Sequence, residues 1–135
     1  MRPLIDTGVL LALLDSRDSH HHWSKSVAAL QPKGFVTCEA VVSELFFHVR
    51  ASERAKHAIL AMIESDWLRV LPVLPVMRVA VAHVIEKYHP LADYADACLV
   101  AMQEQTQAPI WTTDKRDFTR YRSRLSKPLV VVFPS

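Results

Sequence analysis

An α/β sandwich is predicted, with a central, mainly parallel sheet of about four to five strands and helices on both faces. Two features point to it: short apolar runs alternate with helix-length segments along the chain, and the runs are continuously apolar, as in strands buried on both sides. A third sets the scale, because 135 residues, 50% of them hydrophobic, match one compact domain of roughly 100–200 residues. Residues 1–135 are therefore expected to form a single domain.

Arg2–Asp6 reads as a short buried strand, and Thr7–Asp15 as the helix that follows it directly. His20–Gln31 is a second helix, ended by Pro32 and Gly34. Phe35–Thr37 is a brief strand feeding a helix over Glu39–Arg50, and Ser52, a good N-cap residue, opens another that runs to Glu64. Leu68–Leu71 is a third strand. Pro75, favoured in a first helical turn, starts Val76–Tyr88, and Pro90 closes it. Leu91–Gln107 is the longest helical pattern, with Pro109 behind it and a strand at Ile110–Thr112. A short helix at Asp117–Tyr121 and a strand at Leu129–Phe133 complete the order. In a parallel sheet of this kind, sites form beyond the carboxyl ends of the strands.

Composition removes several classes of function. Average usage would give roughly nine glycines, yet only Gly8 and Gly34 occur, and neither a G-x-G-x-x-G nor a P-loop can be written. Cys38 and Cys98 form no C-x-x-C and read as free, buried thiols. The early apolar run Val9–Leu14 is too short for a secretory segment or for a membrane span of about 20 residues, so a cytoplasmic protein without a membrane partner is expected. Sixteen basic and 14 acidic residues leave a net charge of only +2. One stretch departs from that balance: Lys115, Arg116, Arg120, Arg122, Arg124 and Lys127, with Phe118 and Tyr121 interleaved. It is either ordinary solvated charge or a phosphate-contacting patch with two stacking rings.

Four carboxylates stand beside sequence that should be core. Asp6 ends the first strand; Glu44 lies in Ala40-Val-Val-Ser-Glu44-Leu-Phe-Phe; Asp96 lies in Ala95-Asp96-Ala-Cys-Leu-Val-Ala; Asp114 follows Ile110-Trp-Thr-Thr. Asp6 or Asp114 alone reads as a helix cap, but Glu44, well inside an apolar helix, cannot cap. An ionised carboxylate buried alone costs on the order of several kcal/mol, so such groups are paired, hydrogen-bonded or metal-bound. No lysine or arginine falls within Ala40–Phe47 or Ala95–Met102. Oxygen-only ligands suit a hard ion, Mg²⁺ or Mn²⁺.

The segments Leu4-Ile-Asp6-Thr-Gly-Val-Leu-Leu-Ala-Leu-Leu-Asp15, Val42-Ser-Glu44, Asp96-Ala-Cys-Leu-Val-Ala101 and Thr113-Asp114-Lys-Arg-Asp117-Phe118 resemble those of the PIN-domain ribonucleases, and most of all the small VapC-type toxins of bacterial toxin–antitoxin pairs. The likeness covers the whole chain, in order. It implies a PIN-like three-layer α/β/α fold and a Mg²⁺- or Mn²⁺-dependent endoribonuclease acting on single-stranded or looped RNA. The catalytic and metal-binding set carried over is Asp6, Glu44, Asp96 and Asp114, with Asp117 and Asp93 on the rim. A metal-activated water would attack the phosphodiester in line, leaving 5′-phosphate and 3′-hydroxyl ends. Thr7, after the first acid, and Thr113 or Thr112, before Asp114, would orient the carboxylates. Gly8 departs from the family pattern, where a polar residue is common. The resemblance also implies a VapB-like antitoxin as partner and a homodimer, through the apolar residues of Ser52–Glu64 and Val76–Tyr88. Lys115, Arg116 and Arg120 are the candidates for RNA phosphate contact.

His20, His21 and His22 read as a solvated helix start, since three consecutive helical residues point in different directions. Trp23, Trp67 and Trp111 read as core residues. A phosphoacceptor domain is the first rival, but a dehalogenase pattern wants a second Asp where Gly8 stands, and a receiver pattern wants adjacent early acids that are missing. The second rival is a catalytically inactive PIN-like module that binds RNA or protein; retention of all four acids argues against it.

Overall fold

The computed structural model describes residues 1–124 and 127–135. Strands β1 (Leu4–Ile5), β2 (Phe35–Cys38), β3 (Leu68–Leu71), β4 (Ile110–Trp111) and β5 (Val131–Val132) form one sheet in the order β3-β2-β1-β4-β5, with every neighbouring pair parallel. Among the described residues there are seven helices: α1 (Thr7–Leu14), α2 (His21–Ala29), α3 (Glu39–His48), α4 (Glu53–Glu64), α5 (Leu74–Lys87), α6 (Tyr94–Thr106) and α7 (Lys115–Arg120). Successive strand residues point to opposite faces. Leu4 and Ile5 are both 1% exposed, and Ile110 and Trp111 are both buried, so the sheet is covered on both sides. The predicted α/β sandwich is the observed one.

Two strands, the central β1 and the edge strand β5, are shorter than the runs predicted for them: Arg2–Asp6 pairs only over Leu4–Ile5, and Leu129–Phe133 only over Val131–Val132. The long helix begins at Tyr94 and not at Leu91, because the Asp93 carboxylate accepts the Asp96 backbone N–H at 3.2 Å and caps it there. Likewise α7 starts at Lys115, two residues early, because Asp114 accepts the Asp117 N–H at 3.0 Å. α5 carries Pro75 in its first turn, as expected, and kinks at Met77.

α6 organises the interior. Every residue from Ala95 to Gln103 is buried, and Ala95, Ala97 and Ala101 keep that helix slim enough to sit against β1, β2, α3 and α5. At its far end Gln103 donates to the carbonyls of Ala108 (2.9 Å) and Val130 (2.6 Å) and accepts the Val130 N–H (2.9 Å), so one buried amide fastens the segment leading into β5. Aromatic residues fill the other side: the Phe35 ring lies 4.9 Å from Trp111 and 5.4 Å from Trp67, and Trp23 stands 6.4 Å from Trp111. The tryptophans are core or core-edge residues, as expected. Cys38 and Cys98 are free and buried. His21 donates from Nδ1 to the Ala12 carbonyl at 2.7 Å, tying α2 to α1, while His22 is exposed. No helix of the described residues is long and apolar enough to cross a membrane.

One expectation fails. Phe118 and Tyr121, read as possible base-stacking rings, are 2% and 0% exposed and pack edge-to-face at 5.5 Å, with Tyr88 a further 5.2 Å away. Their spacing in a short helix turns both into the core, so the basic segment presents no aromatic platform.

Gly34 turns the chain into β2 with φ at +81°, and a Cβ there would run into the Trp67 carbonyl. Gly34→Ala is therefore expected to lower stability by at least about 1–2 kcal/mol, the cost of left-handed backbone for an L-residue. Urea unfolding of the variant against the parent chain measures it.

Candidate active site

The order β3-β2-β1-β4-β5 places β1 and β4 side by side at the point where the connections change direction. The residues that leave these two strands meet beyond their carboxyl ends, where open α/β sheets bind ligands. Asp6 leaves β1 and caps α1, Thr112 leaves β4, and Asp114 caps α7. Glu44 enters from the middle of α3, and Asp96 from the first turn of α6. Together with Thr7, Gly8, Leu11, His48, Asp93, Thr113 and Asp117, the four acids line one cleft of about 300 Å³.

Each acid has a partner that fixes its direction. Asp6, 8% exposed, accepts the Thr7 N–H at 2.7 Å through Oδ1 and the Thr112 hydroxyl at 2.8 Å through Oδ2. The Thr7 hydroxyl donates to Glu44 Oε1 at 2.9 Å. The Tyr121 hydroxyl donates to Asp96 Oδ2 at 3.0 Å. Thr112 Oγ1 also accepts the Asp114 N–H at 3.0 Å, so one hydroxyl joins the first and last acids of the set. That bond belongs to Thr112; Thr113 lines the cleft with its hydroxyl against Gly8, at a distance that leaves no room for a Cβ. A side chain at Gly8 would require the Thr113 hydroxyl to turn away.

Carboxylate oxygens of Asp96, Asp114 and Asp117 lie within 4.8 Å of one another. Asp117 also faces Arg120 Nη2 at 3.0 Å, which directs that guanidinium inward, over the Tyr121 ring. Arg124 is likewise engaged, by Glu104 at 2.7 Å. Of the three predicted phosphate contacts, Lys115 and Arg116 are exposed, whereas Arg120 is ion-paired at the cleft rim.

Arg120, paired with Asp117 at the rim, meets only part of the charge in the cleft. Burial, with Glu44 and Asp114 nearby, raises the Asp6 pKa to about 6 despite its hydrogen bonds from Thr112 and Thr7. Burial, then the charges of Asp6 and Asp93, raise Asp96 to about 8, and burial raises Asp114 as well. No lysine or arginine lines the cleft. An all-oxygen donor set whose ionisation is opposed by burial and by neighbouring carboxylates fits a hard divalent cation. Asp96, Asp114 and Asp117 are placed to share one, with Asp6 and Glu44 alongside.

Two contributors were not read as site residues in the sequence. Tyr121 holds Asp96, and nothing in its local pattern distinguishes it from a core aromatic. His48 lines the cleft one helical turn after Glu44, a spacing that does place two side chains on one face.

The raised carboxyls set a pH dependence. Asp96 keeps a proton to about pH 8 in the folded chain, against an ordinary aspartate value near 3.9 when unfolded. The folded state therefore binds more protons than the unfolded state between these limits, and stability falls as pH rises through that window, by up to about 1.4 kcal/mol per pH unit for one proton. Urea unfolding in EDTA from pH 4 to 9 is expected to show this slope, and Asp96→Asn to remove the part of it between about pH 6 and 8, above the range of Asp6. A parent chain with no slope would show that Asp96 ionises normally.

The model of the PIN domain family matches residues 4–123. No curated protein sequence matches. Three solved structures share the fold at low identity. A Mycobacterium tuberculosis protein described as VapC20, a sarcin–ricin loop-cleaving toxin, is 21% identical, with a TM-score of 0.67 over 79% of this chain and 85% of that one. A toxin–antitoxin complex from Klebsiella pneumoniae gives 15% identity and a TM-score of 0.73 over 98% of both chains. VapBC2 from Rickettsia felis, bound to a DNA fragment from its promoter, gives 13% and 0.69 over the full length of both. With the family match spanning β1 to β4, α6 and all four acids, the chain belongs to the PIN domain family.

Proposed function

We propose that this chain is a divalent-metal-dependent endoribonuclease, the cytoplasmic toxin of a toxin–antitoxin pair. The observation that carries the reading is the meeting of Asp6, Glu44, Asp96 and Asp114 in one cleft that holds no lysine or arginine. The similar structures from K. pneumoniae and R. felis are toxin–antitoxin assemblies, and the one from M. tuberculosis is a toxin that cleaves the sarcin–ricin loop. An antitoxin that neutralises this chain is its proposed protein partner. A homodimer is proposed through α4 and α5, where Leu60, Val76 and Val79 are exposed.

Asp96, Asp114, Asp6 and Glu44 would hold Mg²⁺ or Mn²⁺, with Asp117 and Asp93 on the rim. When bound, such an ion neutralises phosphate charge and acidifies water, the chemistry needed for hydrolysis of a phosphodiester at neutral pH. The chain's own groups do the positioning. Thr112 and the Thr7 N–H aim the two oxygens of Asp6 in different directions, Thr7 turns Glu44 toward Asp6, and Tyr121 donates to one oxygen of Asp96, leaving the other to face the cleft. As the family resemblance implies, water would attack phosphorus and the P–O3′ bond would break, so that the products carry 5′-phosphate and 3′-hydroxyl ends.

Cleavage of RNA by the purified chain, free of host nuclease, with Mg²⁺ or Mn²⁺ and with EDTA, tests the reading. Activity is expected only with metal, and Asp96→Asn is expected to lower the rate more than about a hundredfold. Tyr121→Phe, which leaves every ligand in place, is expected to cost about 10- to 100-fold in rate or metal affinity, as for loss of a group that orients a ligand. An Asp96→Asn variant that cuts at the parent rate excludes the proposed site, and a folded parent chain that binds RNA without cutting it is a binding module.

Lys115 and Arg116 stand exposed at the start of α7, next to Asp114. Reversing both charges is expected to weaken RNA binding and to reduce the slope of log affinity against log salt by about 1 for each lost phosphate contact. Filter binding in EDTA over a salt series measures it; an unchanged slope removes them from the RNA path.

A further inference from the structure

α3 carries Glu44 into the cleft and then runs on to the rim, where its last turn and the turn after it gather an aromatic ring and two nitrogen-bearing side chains. Phe47 is 62% exposed. The Arg50 guanidinium lies 4.2 Å from the Phe47 ring centroid and is pinned there, because Nη1 donates to the Phe47 carbonyl at 2.7 Å. The His48 ring sits edge-on to Phe47 with centroids 6.0 Å apart, and His48 itself lines the cleft. One exposed phenylalanine means little by itself. Here the ring has a fixed cation on it and is joined, through His48, to the wall that holds Glu44.

Resting on the endoribonuclease reading, we propose that Phe47, with Arg50 stacked on it, receives an unpaired RNA base beside the phosphate that enters the cleft, and that His48 spans the two. Without its ion a cleft lined by carboxylates repels a polyanion, so binding then depends on contacts at the rim that do not use the cleft's own charge. Stacking of a base on an aromatic ring or a guanidinium plane is such a contact, and single-stranded or looped RNA offers the splayed bases it needs. The rings of Phe118 and Tyr121 are closed off in the core, so α7 supplies charge through Lys115 and Arg116 while α3 supplies the stacking surface. Phosphate contact on one side of the acids and base contact on the other would draw a strand across them.

The probe is an RNA hairpin that the parent chain cuts, with 2-aminopurine at each loop position in turn, bound in EDTA. Fluorescence of one loop position is expected to be quenched on binding. Phe47→Ala is expected to abolish that quench, to raise the Kd and the KM by about 10- to 100-fold and to change kcat far less; Phe47→Trp is expected to restore quench and affinity. Quench and Kd unchanged in a Phe47→Ala chain that still cuts would overturn the platform and leave the nuclease reading standing. Unchanged RNA binding together with conversion of a dimer to a monomer would also overturn it and make this face a protein interface. If the parent chain does not cut RNA, the same pair of variants is read on binding of a single-stranded oligonucleotide: a weakened Phe47→Ala then supports the platform while the nuclease reading fails, and an absence of any RNA binding overturns both.

Discussion

The hydroxyl of Thr112 accepts a backbone N–H from the loop that carries Asp114 and donates to Asp6, which ends the neighbouring strand. Through that one oxygen the carboxyl ends of β1 and β4 are held in register with the acids they present. Without it Asp6 would keep only its bond from the Thr7 N–H, buried in a place where its negative charge is already disfavoured. The same economy recurs at each acid: Thr7 serves Glu44, Tyr121 serves Asp96, and Asp114 serves the start of α7. Like charges that repel are kept close by neutral donors, and beyond Arg120 at Asp117 the cleft is left with a demand for positive charge.

The scaffold explains why that arrangement is tolerable. Asp96 sits in a helix buried along nine successive residues, so the backbone that carries it cannot retreat from its neighbours. Asp6 is anchored by the strand at the centre of the sheet, with partners on both sides. Electrostatic strain at the end of the sheet is opposed by hydrophobic burial a few residues away: Leu4, Ile5, Leu99 and Ile110 are each at most 1% exposed. The protein tolerates an unfavourable cluster because the elements bearing it are those it can least afford to move.

Most of this frame could be read from the sequence, because it rests on patterns of local origin. Continuous apolar runs at Leu4–Ile5, Phe35–Cys38 and Ile110–Trp111 signal strands buried on both faces, and capping residues such as Ser52 mark real helix starts. The four acids stood out because each lies in apolar surroundings, and the structure brings them to one cleft. What could not be read depends on direction in space. The ring of Tyr121 turns inward to Asp96 and that of Phe47 outward, though each is an aromatic next to basic residues in a short helical stretch. Arg120 differs from Arg116 only in falling three residues after Asp117, which pairs it across the helix surface. The small shift of the α6 start from Leu91 to Tyr94 has the same origin, since Asp93 becomes a cap only by reaching back to the Asp96 N–H.

The central position of β1 has a bearing on when activity can begin during synthesis. β1 is the first strand made, yet one of its two neighbours, β4, comes from residues 110–111, and the bond that orients Asp6 spans 106 positions of the chain. Tyr121, which holds Asp96, emerges later still. Domains assemble from the N-terminus as they are made, but here an incomplete nascent chain contains Asp6, Glu44 and even Asp96 without the groups that aim them. On the proposed reading as a ribonuclease, the site would thus stay unassembled until residues 110–121 have been made.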